Sequence, residues 1–213
     1  MLVSEIFDSI QGETIYQGIP MTFVRLAGCN LRCVYCDTRY AYEPEKVMAI
    51  EEILDAVARN LLKYVCLTGG EPMNQRETPL LINGMLDNHR EILMFTNGTH
   101  SLKEVNESVK LCIDIKLPSS FQGYAPVHPT LFDYENLGRV KAGDEVKFVI
   151  QNRDDMDWVI EFCAAHPEVF KASAVSVSPA HGVLDPEEAA GWIIKEKLPF
   201  RLNVQMHKLL NLK

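Results

Sequence analysis

The sequence lacks any run of about 18 apolar residues, so it predicts no membrane-spanning helix. The N-terminal stretch MLVSEIFDSIQGE has neither the basic start nor the long apolar segment of a signal peptide, and we expect a cytoplasmic protein. Cationic residues are few: 21 Lys and Arg against 29 Asp and Glu give a net charge of −8, which argues against broad nonspecific binding to nucleic acid. No internal repeat or low-complexity linker interrupts the 213 residues, so we expect a single domain over residues 1–213.

A fourth cysteine is missing from the stretch GCNLRCVYCDT, in which Cys29, Cys33 and Cys36 have the spacing C-x3-C-x2-C. Three thiolates suit a four-iron cluster with one iron open to another ligand, whereas a structural zinc site normally has four protein ligands. The cysteines alone leave two alternatives open: a zinc ribbon or knuckle completed by a distant histidine, and a redox-active pair with a bystander. The other cysteines lie in apolar strand or helix patterns and are expected to be buried free thiols: Cys66, Cys112 and Cys163.

A second motif, Gly69-Gly70-Glu71-Pro72, follows the predicted strand YVCLT. The two glycines would let a ligand approach the backbone closely, and Glu71 offers an acceptor for an ammonium group. Together with the cysteine triplet, at the interval of one βαβ unit, this motif resembles the radical S-adenosylmethionine (SAM) superfamily. The resemblance implies a 4Fe-4S cluster whose open iron binds the amino and carboxylate groups of SAM.

Apolar patterns alternate between strand and helix along the chain. Apolar residues at helical spacing from Ile50 to Leu61 predict an amphipathic helix, and more helices are predicted near residues 76–88, 156–165 and 187–195. Continuous apolar strands between helices predict parallel pairing. Six such βα-like steps, with the resemblance, imply an α/β fold: an incomplete TIM-like (β/α)6-type partial barrel with its site on the loops at the carboxyl ends of the strands. The segment Leu117 to Leu137 is interpreted as a lid over the site or as an ordinary surface excursion.

Further motifs indicate which family within this superfamily the chain resembles. They are IQGE at residues 10–13, GIP at 18–20, FVRL at 23–26, CDT at 36–38, TGGEP at 68–72 and QMHK at 205–208. Over nearly the whole chain these pieces resemble the 7-carboxy-7-deazaguanine synthase family. The resemblance implies a lyase that converts 6-carboxy-5,6,7,8-tetrahydropterin to 7-carboxy-7-deazaguanine with loss of ammonia, in the biosynthesis of 7-deazapurines such as queuosine.

A reduced pterin presents a guanine-like edge and a carboxylate, so its pocket needs amide-type groups and a cation. Gln11 and the Gly12 backbone are predicted to bind that edge, Glu13 to accept from ring N–H groups, and Arg25 to hold the carboxylate. The alternatives are a solvated turn at residues 11–13 and a buried ion pair for Arg25, whose strand is otherwise apolar. The resemblance adds further substrate contacts: Ile10, Thr68, His207 and the terminal carboxylate of Lys213.

The resemblance also nominates residues that bind SAM: Tyr35, Cys36, Asp37, Gly69, Gly70, Glu71, Asp114, Ile115 and Lys116. It places Mg²⁺ on Thr38, a hard oxygen ligand of the kind that this ion prefers. The alternatives are that Thr38 only caps a turn and that Asp114 pairs structurally with Lys116. Relatives often have Glu where this chain has Phe95, so no contact is assigned there. No general acid or base for the loss of ammonia is identified.

Partners are predicted from charge and resemblance. Arg32 and Arg39 flank the cysteines and are predicted to meet an acidic electron donor such as flavodoxin. The resemblance implies a homodimer, and the expected substrate is a small molecule. Two other functions stay open: a radical SAM activase of a glycyl-radical enzyme, and a non-catalytic module in which the three cysteines and a histidine hold zinc.

Overall fold

Nine strands form one sheet in the computed structural model, which describes residues 1–121 and 132–212. The strands are β1 (Leu2–Ile10), β2 (Pro20–Leu26), β3 (Lys46–Val47), β4 (Tyr64–Gly69), β5 (Glu91–Thr96), β6 (Lys110–Asp114), β7 (Glu145–Ile150), β8 (Ala174–Pro179) and β9 (Arg201–Leu202). Their order across the sheet is β3-β1-β2-β4-β5-β6-β7-β8-β9. The sheet ends at β3 and β9 and is not closed, as a partial barrel requires.

Along the sheet order β2-β4-β5-β6-β7-β8-β9, each strand pairs parallel with the next. This pairing confirms the predicted parallel α/β sheet. The central residues of β4, β5 and β6 are buried, as expected for parallel strands with both faces covered. At the other end of the sheet, β1 pairs antiparallel with both β2 and β3. The prediction of parallel strands is wrong for this edge, because apolar spacing does not reveal which partner a strand will have.

Five helices accompany the sheet in the described part of the chain: α1 (Ile50–Arg59), α2 (Thr78–Asp87), α3 (Arg153–Ala165), α4 (Pro186–Glu196) and the short α5 (Met206–Leu209). The first four confirm the predicted helices. Asn152 and Asp185 cap α3 and α4, each accepting a hydrogen bond from a backbone amide of the first turn. Residues 97–109, between β5 and β6, form turns without a helix, so the (β/α)6 repeat is not complete.

The two faces of the sheet bury different side chains. On β7, Val146, Phe148 and Ile150 point towards the large core beneath the helices, and Lys147 and Val149 point to the other face, because side chains alternate along a strand. A smaller apolar cluster lies on that inner face: Met21, Phe23, Cys66, Leu93 and Cys112. This cluster forms the floor beneath the loops at the carboxyl ends of the strands.

The segment interpreted as a lid is described only at its ends. Short 3-10 helices occupy Pro118–Phe121 and Tyr134–Arg139. Residues 122–131 lie outside the described residues, and so does Lys213. None of the helices in the described ranges is long and apolar enough to cross a membrane.

Candidate active site

One cavity opens at the carboxyl ends of the parallel strands. Most of the residues predicted from the sequence line it: Ile10, Gln11, Gly12, Glu13, Arg25, Cys29, Cys33, Tyr35, Cys36, Asp37, Thr38, Thr68, Gly69, Gly70, Asp114, Lys116 and His207. The register explains part of this convergence, because β2 and β4 place Arg25 opposite Thr68 and Leu26 opposite Gly69. Parallel strands bring their loops to one rim, so motifs that are distant in sequence meet there.

The loop after β2 carries the three cysteines, which are free thiols and partly exposed. Burial raises the pKa of the Cys33 thiol to about 11, and it also raises the pKa of Cys29. These thiols are therefore protonated at neutral pH until a metal displaces the proton.

Two arginines stabilise the cysteine loop from its exposed side. Arg32 donates to the carbonyl oxygens of Cys29 at 2.7 Å and Leu31 at 2.8 Å, and its guanidinium lies 4.2 Å from the centre of the Tyr42 ring. Arg39 donates to the carbonyl oxygen of Val34 at 2.6 Å. Both side chains thus hold the loop conformation, and their predicted contact with an electron donor stays a prediction.

The glycines after β4 are required by packing within the protein. A Cβ on Gly70 would lie 2.1 Å from the carbonyl oxygen of Gly28 and 2.8 Å from Cβ of Cys29. Gly69 has a φ of +148°, and a Cβ there would lie 2.1 Å from the carbonyl oxygen of Leu26. Because glycine has no side chain, the loop after β4 lies directly against the cysteine loop.

Glu71 does not present its carboxylate to the cavity, which corrects the prediction that it accepts from an ammonium group. The side chain is buried, and its oxygens accept from the Met73 amide at 2.9 Å, the Thr96 hydroxyl at 2.8 Å and the Asn97 amide at 2.6 Å. Burial raises the pKa of Glu71 despite these donors. Glu71 therefore connects the loop after β4 to the loop after β5.

Ile115 does not present its side chain to the cavity, so its predicted contact with SAM could be made only by its backbone. Its side chain belongs to the hydrophobic core, and its amide donates to the carbonyl oxygen of Lys147 at 2.9 Å. Its neighbours on either side in the chain line the cavity instead. Asp114 and Lys116 form a salt bridge of 2.8 Å, which agrees with the structural alternative considered for them.

The remaining residues nominated for SAM and Mg²⁺ lie on the cysteine loop. The Tyr35 hydroxyl lies 2.8 Å from the Ser120 hydroxyl, and burial raises the pKa of Tyr35 to about 12. Asp37 forms a 2.8 Å salt bridge with Lys208, which outweighs the effect of partial burial and lowers the pKa of Asp37. The Thr38 hydroxyl makes no capping hydrogen bond to the following 3-10 helix and lies 3.8 Å from the Cys36 sulfur. The hydroxyl therefore does not cap this helix, and its predicted contact with Mg²⁺ stays a prediction.

The turn after β1 presents amide and carboxylate groups to the cavity. Among the described residues, the Gln11 amide nitrogen has only sulfur acceptors, Cys66 Sγ at 3.4 Å and Met21 Sδ at 3.9 Å, and its oxygen accepts from the Glu13 amide at 3.1 Å. Sulfur is a weak acceptor, so an oxygen or nitrogen of a ligand would be a better partner. Gln11 and Glu13 are both buried, which excludes the solvated turn considered for these residues.

Glu13 lies between two donors. Its Oε2 accepts from Lys147 at 2.8 Å and its Oε1 accepts from Gln205 at 2.7 Å. Burial raises the pKa of Glu13, but the Lys147 charge and these hydrogen bonds outweigh burial and lower it overall. Glu13 is therefore ionised at neutral pH and acts only as an acceptor.

Gly12 and His207 are in direct contact. A Cβ on Gly12 would lie 2.0 Å from Nδ1 of His207, and the Gly12 carbonyl oxygen accepts from the Met206 amide at 2.9 Å. Burial lowers the pKa of His207, so the imidazole is neutral at pH 7. The C-terminal residues thus form one wall of the cavity.

Arg25 forms the ion pair considered for it, and its contact with a substrate carboxylate stays a prediction. Its Nε donates to Glu5 Oε1 at 2.8 Å, and the Tyr40 hydroxyl donates to the same oxygen at 2.9 Å. The guanidinium carbon lies 5.9 Å from the centre of the Phe7 ring, and the side chain also lines the cavity. The ion pair fixes one edge of the guanidinium, so a ligand would meet a preoriented cation.

Comparison with known proteins places this site in a family. Residues 23–129 match the family model of the radical SAM superfamily. The 7-carboxy-7-deazaguanine synthase of Koribacter versatilis is 35% identical over 99% of this chain and 96% of its own length. That of Chlorobaculum tepidum is 37% identical over 98% of this chain and 93% of its own. This chain belongs to the 7-carboxy-7-deazaguanine synthase family of radical SAM enzymes.

Solved structures support the fold assigned to this family member. QueE from Escherichia coli matches with a TM-score of 0.76 at 22% identity, over 97% of this chain and 94% of that chain. SuiB from Streptococcus suis bound to S-adenosylmethionine matches with a TM-score of 0.56 at 17% identity, over 83% of this chain and 48% of that one.

Membership of the 7-carboxy-7-deazaguanine synthase family implies a 4Fe-4S cluster and SAM, and the cavity fits both. Cys29, Cys33 and Cys36 supply three thiols from one short loop, and all three line the cavity. The strand-end glycines lie against this loop, and the charged side chains of Asp114 and Lys116 face the same space. The donor set is therefore that of a three-cysteine cluster with an adjacent polar ligand site.

Several residues that line the cavity of this synthase-family member were not predicted as contacts, and four of them carry amide or ammonium groups: Asn97, Lys147, Gln205 and Lys208. Asn97 Nδ2 donates to Asn30 Oδ1 at 3.1 Å and so links the Glu71 network to the cysteine loop. Lys147 lies in the strand EVKFVI, where a charge among apolar residues is the same signal that indicated Arg25. Gln205 and Lys208 belong to the QMHK motif, but no local pattern shows that they contact Glu13 and Asp37.

Proposed function

We propose that this protein is a 7-carboxy-7-deazaguanine synthase: a lyase that converts 6-carboxy-5,6,7,8-tetrahydropterin to 7-carboxy-7-deazaguanine with loss of ammonia. The product is a precursor of queuosine and other 7-deazapurines. The observation that carries the proposal is that the cysteine triplet shares one cavity with the Gln11, Glu13 and Arg25 side chains. A single domain over residues 1–213 would perform this reaction.

The substrate side of the cavity matches the chemistry of a reduced pterin. Gln11 offers an amide whose nitrogen has sulfur partners alone in the part of the chain that the structure describes, and Glu13 offers an ionised acceptor for ring N–H groups. Arg25, held by Glu5, offers a cation for the 6-carboxylate. Ile10, Thr68 and neutral His207 complete this wall, and the proposed contact of the Lys213 carboxylate lies outside the described residues.

The cofactor side faces the cysteine loop. Cys29, Cys33 and Cys36 would hold the cluster, and Tyr35, Asp37, Gly69, Gly70, Asp114 and Lys116 would surround SAM. When bound and reduced, the cluster and SAM would supply the radical chemistry needed to remove a hydrogen atom from the substrate. The protein's own task is to orient the two ligands and to exclude water from the space between them.

Mg²⁺ is proposed to bind at Thr38. The Thr38 hydroxyl faces the cavity and is free of a capping hydrogen bond. One hydroxyl, a substrate carboxylate and water molecules form a shell of hard oxygen ligands that suits this ion.

Two partners are proposed in addition to the substrate. The exposed Arg32 and Arg39 side chains mark the cysteine loop as the docking surface for an acidic electron donor such as flavodoxin. If Arg32→Glu with Arg39→Glu slows reduction by flavodoxin and spares chemical reduction, docking is supported; equal donor rates would contradict it. A homodimer is proposed from the family resemblance, and its test is the molar mass in solution.

The proposed reaction is tested with anaerobically reconstituted protein, SAM, a reductant, Mg²⁺ and 6-carboxytetrahydropterin. Mass spectrometry should detect both 5'-deoxyadenosine and 7-carboxy-7-deazaguanine. Cys29→Ala should lose the cluster and both products, and Cys163→Ala, which changes a buried thiol in α3, should keep both.

Other outcomes would point to the alternatives. Deoxyadenosine without deazaguanine would contradict the substrate assignment and favour an activase, whose SAM cleavage would respond to a protein partner instead. A colourless protein that retains zinc and makes neither product would favour a metal-binding module.

A further inference from the structure

Lys147 has no part in the function proposed above, although its ammonium lies inside the cavity. The side chain extends from the middle of β7 and is only 8% exposed. Its Nζ lies 2.8 Å from Glu13 Oε2, 3.0 Å from Asp114 Oδ2 and 5.5 Å from the centre of the Phe95 ring. Each contact comes from a different segment of the chain, so Lys147 joins the turn after β1 to the ends of β5 and β6.

These contacts belong to a chain of alternating charges. Glu13 also accepts from Gln205, Lys147 lies between Glu13 and Asp114, and Asp114 also pairs with Lys116 at 2.8 Å. The four charged side chains are all at most 17% exposed. Buried charges of this kind are stable only when each has an opposite partner. Within residues 1–121 and 132–212, Lys147 is the only salt-bridge partner of Glu13, so Glu13 depends on Lys147 more than Asp114 does.

The two carboxylates bound by Lys147 face different ligands. Glu13 lies beside Gln11 and His207, on the side assigned to the pterin. Asp114 lies towards the cysteine loop, because its partner Lys116 is 5.5 Å from the centre of the Tyr35 ring. A single ammonium therefore sets the distance between the substrate side and the SAM side.

We propose that Lys147 is a positioning residue that holds the carboxylates of Glu13 and Asp114 in register, and thereby aligns the pterin with the SAM ribose for hydrogen transfer. This inference rests on the proposed function, which assigns a ligand to each carboxylate. Lys147 itself stays protonated, because the two carboxylates outweigh burial and raise its pKa well above the ordinary value. It therefore acts through the carboxylates and does not transfer a proton to the substrate.

The test is the ratio of 5'-deoxyadenosine to deazaguanine in Lys147→Met. Misalignment by a fraction of an ångström lets SAM cleavage proceed without transfer to the substrate, so we expect this ratio to rise about tenfold or more. Iron content should match the wild type, because in the described residues no hydrogen bond or salt bridge joins Lys147 to the cysteine loop. Lys103→Met, which removes a lysine from an exposed ion pair, should leave the ratio unchanged.

A double variant separates positioning from a general structural role. Lys147→Met leaves Glu13 without its salt bridge, and Glu13→Gln with Lys147→Met replaces the pair by two neutral side chains. If Lys147 acts through Glu13, the double variant should have a product ratio within about twofold of Glu13→Gln alone. Because Lys147 also holds Asp114, Lys147→Met is then added to Glu13→Gln with Asp114→Asn; a further rise of the ratio there would show that Lys147 acts through a contact of its own and would overturn the inference.

Failure of this inference is distinguishable from failure of the proposed function. Wild-type protein that forms 5'-deoxyadenosine and no deazaguanine would refute the proposed function and the pterin assignment with it. Wild-type protein that forms both products, with an unchanged ratio in Lys147→Met, would refute only the positioning role.

Discussion

Replacing Glu71 with glutamine tests whether the GGEP carboxylate supports the loops or binds SAM. In the structure, Oε1 accepts from the Met73 amide and the Thr96 hydroxyl, and Oε2 accepts from the Asn97 amide. Glutamine has nearly the same shape and keeps one oxygen, but its NH2 group must face at least one of these donors. The substitution therefore removes one hydrogen bond and places the glutamine NH2 group next to another donor. The volume of the core does not change.

The expected loss of stability follows from these contacts. A hydrogen bond to a charged acceptor contributes about 1.5–3 kcal/mol, and a buried N–H without a partner costs about 1–3 kcal/mol. Burial raises the pKa of Glu71, so a neutral side chain regains part of the desolvation energy of the carboxylate. We expect the free energy of unfolding of Glu71→Gln to fall by about 2 kcal/mol.

Urea unfolding of the cluster-free protein at neutral pH measures this loss, because neither iron nor SAM then contributes to stability. Glu107→Gln is the matched control: its side chain is 90% exposed, and we expect a change of no more than about 0.5 kcal/mol. A normal free energy of unfolding in Glu71→Gln, together with weakened SAM binding, would refute the structural role and restore the role of ammonium acceptor.

Three further changes test other parts of the site. Gly70→Ala would place Cβ 2.1 Å from a backbone carbonyl oxygen, so we expect about 1–3 kcal/mol lower stability and less iron per chain than in Gly138→Ala, where a Cβ meets nothing within 4 Å. Burial raises the pKa of Glu13, but the Lys147 charge and hydrogen bonds lower it below 4.5, so its stabilisation is present above pH 4.5 and lost as the pH falls through the native pKa. Urea midpoints of the wild type should therefore drop more steeply in acid than those of Glu13→Gln; parallel curves would contradict this. Thr38→Ala should raise the Mg²⁺ concentration for half-maximal activity about tenfold, and Thr38→Ser should not; equal requirements in all three proteins would remove Thr38 from the metal site.

Local patterns in the sequence were sufficient for the elements and for the chemistry of the site. The helix α1 was predicted because burial of one face requires apolar residues at helical spacing. The strands β4 to β7 were predicted because burial of both faces requires a continuous run of apolar residues. The C-x3-C-x2-C spacing indicated the cluster for a similar reason, since one short loop carries all three cysteines. The apolar neighbours of Arg25 indicated a ligand or an ion pair, and Lys147 has the same kind of neighbours.

Contacts between distant segments depended on the strand order, which no local pattern contains. Glu13 lies 134 residues from Lys147 and 192 residues from Gln205, so only the assembled sheet makes their contacts possible. The antiparallel pairing of β1 with β2 and β3 could not be predicted either, because it also depends on the strand order.

By itself, the sequence determined which chemical groups this protein has for binding a cluster, SAM and a small polar ligand. The tertiary structure alone decided which way each group faces. Glu71 and the adjacent Gly70 show the difference: the carboxylate points to backbone donors and the glycine admits the cysteine loop, although both residues look like ligand contacts in the sequence. The physical reason is that buried hydrogen-bonding groups take the partners that packing brings to them, and packing is a property of the whole fold.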